Sequence, residues 1–226
     1  MKYENIIKEH SDLFDNTNSP IKIITNLNRI RDWQENKYAK LSAAGKPLEW
    51  ADIGVVLNDP YIVVIRDLVE FPGGHVGGYF RVINRADLNG GQGIVVLCEK
   101  KGKYLLLHHY RHPVRSWGYE VPRGFGQPRV AAEEQAKIEV REEIGGEIDE
   151  LIDLGVYHNN TGLDANKVKL FYAKLISIGQ PAKEEGIDSF LWVSLLKLEE
   201  MIADARITDG FTIAAYARAK LRGLLV

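Results

Sequence analysis

Four short runs of β-branched and aromatic residues follow one another between residues 61 and 110, and a long helix-forming run comes only after them. The runs are Tyr61-Ile-Val-Val-Ile-Arg66, Gly78-Tyr-Phe-Arg-Val-Ile-Asn84, Gly93-Ile-Val-Val-Leu-Cys98 and Tyr104-Leu-Leu-Leu-His-His-Tyr110. Each has strand length and the residue types that fit a pleated, half-buried surface. Turn-forming residues separate them: Phe71-Pro-Gly-Gly74, Asn89-Gly-Gly91 and Lys101-Gly102. Lys100-Lys-Gly-Lys103, set between two apolar runs, predicts a tight hairpin. After a loop over 121–128, residues 131–144 read as a helix rich in Ala, Glu, Gln and Lys and closed by Gly145-Gly146. Strands follow at 153–157, 168–175 and 190–193, then helices at 196–203 and 212–221. This order predicts an α+β fold with a mixed sheet, one helix inserted between strands and helices at both ends.

The first 48 residues differ. Ile23, Ile24, Leu27, Ile30, Trp33 and Leu41 lie close to helical spacing, between the breaks Asp15-Asn-Thr-Asn-Ser-Pro20 and Ala44-Gly-Lys-Pro47. They predict a helical N-terminal appendage over 1–48 and a main domain over 49–226.

Composition excludes several classes. A net charge of −2 gives no bulk attraction to nucleic acid. Cys98 is the single cysteine, so no internal disulfide forms, and its apolar run predicts a buried strand thiol. The opening Met1-Lys-Tyr-Glu-Asn-Ile-Ile lacks a signal-peptide core, and no apolar run approaches the ~20 residues of a membrane span. The expected compartment is the cytoplasm. His108, His109 and His112 lie close together, but strand alternation sends neighbours to opposite faces and no second ligand cluster has zinc spacing.

The informative chemistry lies in the helix at 131–144. Glu139, Glu142 and Glu143 stand at i, i+3 and i+4, on one face and one turn apart. On a solvated surface such like charges cost a few tenths of a kcal/mol per pair. Partly buried at ~6 Å, a pair costs roughly 3 kcal/mol at an effective dielectric of ~20. A solvated face is one reading, with Lys137 and Arg141 supplying ordinary helix pairs. The other is a divalent cation: hard Mg²⁺ prefers carboxylate oxygens and turns the repulsion into attraction. A preceding strand ending in Glu120-Val-Pro-Arg-Gly124, then a tight loop, favours the cation.

The segment from Gly124 to Gly146 resembles the Nudix box, G-x5-E-x7-R-E-U-x-E-E-x-G-U with U a bulky aliphatic residue. Gly124, Glu139, Val140, Glu142, Glu143 and Gly145 fall on its positions in one ungapped register. Val130 and Ile138 depart from it, standing where the family has Glu and Arg, and Gly146 replaces the final aliphatic. Losing both members of a charged pair together leaves no unpaired charge, and such a swap can be close to neutral. The resemblance implies a Nudix-type α/β/α sandwich, Mg²⁺ (Mn²⁺ substituting) held by Glu139, Glu142 and Glu143, and the Arg123 carbonyl facing the metal.

Beyond the box the likeness spans roughly residues 50–226 and is to ADP-ribose pyrophosphatases. His109-Tyr-Arg111 and Trp117-Gly-Tyr-Glu-Val-Pro-Arg-Gly124 are similar to that subgroup's "QYR…WExPxG". It implies that Arg111 and Glu120 help bind the substrate or position the strand, with Arg111 or Arg123 clamping phosphate oxygens; a strand-end ion pair is the other reading of Arg111. The "SPG" of members that hydrolyse ADP-ribose reads Asn159-Asn-Thr-Gly162 here, with Thr161 for the proline. Lys183-Glu-Glu-Gly186 lies where the subgroup carries a catalytic or metal-assisting glutamate, which makes Glu185 or Glu184 the candidate beside Glu142 and Glu143. A solvated loop is the alternative. Asp209 and Thr212 match "GxIxDxxTxxA" and predict a cap on the last helix. The subgroup also implies a homodimer, with 61–85 near its interface.

The expected activity is metal-dependent cleavage of a pyrophosphate bond in a nucleoside diphosphate derivative, ADP-ribose or a related nucleotide sugar. The products are a nucleoside monophosphate and a sugar phosphate. The alternative is a weakly active or non-catalytic domain that senses such a ligand, which Val130 and Ile138 favour and the three retained glutamates oppose.

Overall fold

The computed structural model describes residues 1–226, whose contacts gather into two units: Met1–Leu88 with Asn160–Ala165, and Asn89–Asn159 with Asn166–Val226. The first holds α1 (Tyr3–Glu9), β1 (Lys22–Ile23), α2 (Leu27–Ala43), β2 (Gly54–Asn58), β3 (Ile62–Glu70), β4 (Val76–Asn84) and α3 (Arg85–Leu88). Strand β3 is its centre, antiparallel to β1, β2 and β4. Val63, Ile65 and Leu68 of β3 are buried with Ile6, Phe14, Ile24 and Ile30 from the N-terminal segment. That shared core is why contacts divide the chain after Leu88 and not near residue 48. The helical spacing read from Ile23 onward becomes helix only at Leu27, because Lys22 and Ile23 pair with Glu70 and Val69. Asn26 then caps the helix, accepting from Asn28 N and Arg29 N at 3.1 and 3.0 Å.

The second unit holds β5 (Gly93–Lys100), β6 (Lys103–Arg111), β7 (Ser116–Glu120), β8 (Arg123–Gly124), α4 (Ala132–Ile144), β9 (Glu147–Tyr157), β10 (Val168–Ser177), β11 (Ile187–Val193), α5 (Leu195–Ala203) and α6 (Gly210–Leu221). Strand β10 runs parallel to β5 and antiparallel to β9, which gives the mixed sheet. Ile94, Val96 and Cys98 of β5 face the core under α4, whereas Val95 and Leu97 face the core under α5 and α6. A strand covered on both faces is apolar throughout, and the α/β/α layering follows. Cys98 is fully buried, and burial pushes its thiol well above the ordinary range.

The hairpin expected at Lys101-Gly102 is present, with Lys101 at φ 53° and Gly102 at φ 74° closing the pair Lys100–Lys103. Beyond Glu99–Tyr104 the two strands part. Strand β7 then pairs with β6 while β8 pairs with β5, so the chain leaving the hairpin fills the opening. That split is where the candidate site forms. No helix is long and apolar enough to cross a membrane.

Candidate active site

Helix α4 buries the stripe Gln135, Ala136, Glu139, Val140, Glu143 and Ile144, so two of its three box glutamates are carried inward with the apolar residues. The helix ends at Gly145, whose φ of 58° lets Gly146 N return to Val140 O at 3.1 Å. Space is tight there as well, since a Cβ on Gly145 would stand 3.0 Å from Gly179 Cα. The last α4 carbonyls are taken by the loop before β11: Gly179 N donates to Ile144 O at 2.9 Å and Ala182 N to Glu143 O at 3.0 Å. This anchoring brings Glu185 electrostatically close to both buried glutamates. Glu184, its neighbour, is exposed.

Glu139 and Glu143 are 9% and 3% exposed. Burial raises the Glu139 pKa to about 7, helped by the charges of Glu142 and Glu185 and opposed by a hydrogen bond from Gln135. Burial raises Glu143 to about 8, with Glu139 and Glu185 adding to the shift and the amide of Arg123 opposing it at 3.0 Å. Glu142 is exposed and reaches Glu139 through its charge. No three His, Cys, Asp or Glu side chains stand together as a preformed metal cage. What α4 offers is a hard-oxygen donor set whose ionised form folding alone disfavours, and a divalent cation fits that chemistry.

A second cluster lies at the end of β7. Glu120, 3% exposed, receives Arg111 Nε at 3.0 Å and Arg111 Nη2 on its other oxygen. Arg123 Nη2 stands 3.4 Å from Glu120 and 3.5 Å from Asp209, with its guanidinium 4.8 Å over the Phe211 ring. His109, 4% exposed, places Nδ1 2.9 Å from Glu120 Oε1, off the line of a hydrogen bond, and Nε2 donates to the Glu185 carbonyl at 3.0 Å. Burial alone would raise the Glu120 pKa; His109, Arg111 and the charge of Arg123 outweigh it and hold the carboxyl at about 2. Arg111 thus makes the strand-end ion pair and also lines a cavity of about 280 Å³, with Trp117, Tyr119, Glu120, Arg123 and Asp209 among its walls. Asp209 caps α6 as expected: Thr212 donates to its Oδ2 from N and Oγ1, both at 2.8 Å. Thr212 Oγ1 in turn accepts from Val121 N at 3.0 Å, which ties the strand carrying Arg123 to α6.

The segment holding Thr161 belongs to the first unit, where Val82 N donates to Leu163 O at 2.9 Å. Two site residues escaped the sequence reading. Gln135 carried a signal, its i, i+4 spacing to Glu139 on the buried stripe. His109 carried only its place one residue before Tyr110-Arg111.

Residues 89–211 match the NUDIX domain family. The match covers more than half of the chain and contains every candidate site residue. The chain therefore belongs to the Nudix family, whose enzymes generally use divalent cations, and it is a Nudix pyrophosphohydrolase. No curated protein matches it. A solved structure described as a crystal structure of an ADP compounds hydrolase shares the fold: TM-score 0.65 and 17% identity, over 77% of this chain and 95% of that one.

Proposed function

We propose that the chain hydrolyses the pyrophosphate bond of a nucleoside diphosphate derivative, ADP-ribose or a related nucleotide sugar, to a nucleoside monophosphate and a sugar phosphate. The solved neighbour of like fold acts on ADP compounds by its description, which supports an adenine nucleotide. The observation that carries the reading is the burial of Glu139 beside Glu143, two carboxyls raised to about 7 and 8 on one helix face.

Glu139, Glu142 and Glu143 hold Mg²⁺, or Mn²⁺ in its place. A cation bound there supplies charge neutralisation at the diphosphate and acidification of water. Glu185 is exposed next to this face and takes the proton of the attacking water. Glu142 and Glu143 serve the same chemistry from α4. Arg111 and Arg123, both turned by Glu120, present guanidinium donors to phosphate oxygens at the 280 Å³ cavity. Trp117 and Tyr119 supply aromatic walls to that cavity.

The protein works as a cytoplasmic homodimer joined through its first unit, with no nucleic-acid partner. Strand β2 supports the dimer: it pairs only with β3 and exposes Val56 and Leu57 at 48% and 46%.

The test is product release from ADP-ribose, nucleotide sugars and dinucleoside polyphosphates with graded Mg²⁺, for the native chain and Glu142→Gln. A folded Glu142→Gln with turnover reduced ~100-fold or more is the expected result, and undiminished turnover would sink the site assignment. Ligand binding with no turnover in the native chain would favour the sensor reading that Val130 and Ile138 raise.

A further inference from the structure

Val130 and Ile138, both half-buried, leave the loop after β8 and the helix α4 without the charged pair that the box pattern places there. Loop and helix are nevertheless fastened together. Gln135, 1% exposed, donates from Nε2 to Glu139 Oε1 at 2.8 Å and accepts at Oε1 from the main-chain N of Gln127 at 3.0 Å. The partners fix the amide's orientation, because a main-chain N–H can only donate and so must face the oxygen. The Gln135 amide itself is buried, where leaving it without partners is costly.

The loop itself has little freedom to move. A Cβ on Gly126 would stand 2.1 Å from Gln92 N, and one on Gly91 would stand 2.8 Å from Gln127 O. Gln127 is therefore pressed against the 91–92 backbone on one side and held by Gln135 on the other. Glu139 has one oxygen engaged by Gln135 and the other free of any hydrogen bond to the chain.

We propose that Gln135 is a positioning residue: a neutral amide clamp that does the work of the absent charged pair, locking the 124–130 loop to α4 and aiming the free oxygen of Glu139 toward the cation. The proposal rests on the reading of Glu139 as a metal ligand. A neutral clamp differs in kind from a charged one. It holds the carboxylate through one hydrogen bond and the loop through the other, and it adds no positive charge beside the cation.

Gln135→Leu removes both bonds at nearly constant volume, and Gln135→Met does so at nearly constant length. Amide hydrogen exchange at Gln127 reads the clamp in the metal-free protein, and calorimetric Mg²⁺ titration reads its effect on the site. In the native chain the Gln127 amide is expected to be protected relative to the Arg129 amide. In either variant its exchange should quicken at least ~10-fold, with Mg²⁺ affinity falling ~10- to 100-fold, as for other residues that orient a metal ligand. Substrate KM at saturating Mg²⁺ should stay within about twofold. An unprotected Gln127 amide in the native chain overturns the clamp without requiring any variant to fold. So does native Mg²⁺ affinity in Gln135→Leu or Gln135→Met. Should Glu139→Gln bind Mg²⁺ as tightly as the native chain, the metal reading of Glu139 fails instead, while Gln127 exchange still reports the clamp by itself.

Discussion

The carboxyl group of Glu139 rests directly on Gly124: a Cβ at Gly124 would stand 2.1 Å from Glu139 Cδ and 2.1 Å from Oε2. Gly124 does not have a positive φ, so its side-chain hydrogen is required by space and not by backbone conformation. Gly124→Ala must displace the carboxyl. Turnover is expected to fall ~100-fold, as for a misplacement of about 1 Å at a reacting centre. Overpacking should cost about 1–3 kcal/mol of stability. Steady-state kinetics beside a urea melt checks both.

Metal-free stability should fall as pH rises. Glu139 and Glu143 have folded pKa values of about 7 and 8, above the ordinary 4.5, so between these limits the folded chain binds more protons than the unfolded one. Their protonated forms are compatible with burial; ionisation on the way to pH 8 takes that stability away. Glu120, held at about 2, acts in the opposite sense, and its contribution is lost only as pH drops below the usual carboxylate range. Thermal melts from pH 5 to 8.5 in chelator are expected to slope downward. Excess Mg²⁺ should flatten the slope, and Glu139→Gln with Glu143→Gln should remove it.

Glu120→Gln leaves Arg111 and Arg123 facing each other without their shared counter-charge. Removing one partner from a buried ion pair costs about 3–5 kcal/mol; the partial exposure of both arginines places the expected loss at the low end. Substrate KM should rise more than kcat falls, because the arginines lose their orientation while the α4 glutamates keep theirs. Denaturant midpoints and a KM-against-kcat comparison read the two effects.

The exposed Val56 and Leu57 of edge strand β2 give the proposed dimer its test. Leu57→Asp should convert a dimer to a monomer in light scattering behind size exclusion. A native chain already monomeric at micromolar concentration would remove that part of the account.

Much of this was legible in the chain. The helix at 131–144 shows its end plainly, because Gly145 meets both a positive φ and a close approach to Gly179. The runs at 93–98 and 104–110 read as strands because residues on both faces are apolar, which a doubly covered strand requires. The N-terminal boundary was not legible. Helical spacing continues back through Ile23 and Ile24, but the pairing of Lys22 with Glu70 depends on a partner nearly fifty residues away. Helix α1 and strand β2 are short, and what holds them is the core around Ile6 and Val63. At the site, spacing reveals the glutamates because they share an element. The contact of His109 with both Glu120 and the Glu185 carbonyl joins three separate segments, and no local pattern records it.

The buried glutamates of α4 are proposed to take up a divalent cation in exchange for protons. Mg²⁺ titration by calorimetry at pH 7, in buffers of different ionisation heat, measures binding and proton release together. The expected result is saturable binding that releases protons at pH 7, releases far fewer at pH 9, and is lost in Glu139→Gln with Glu143→Gln. Binding that releases no proton at pH 7, or that survives the double substitution, would contradict it.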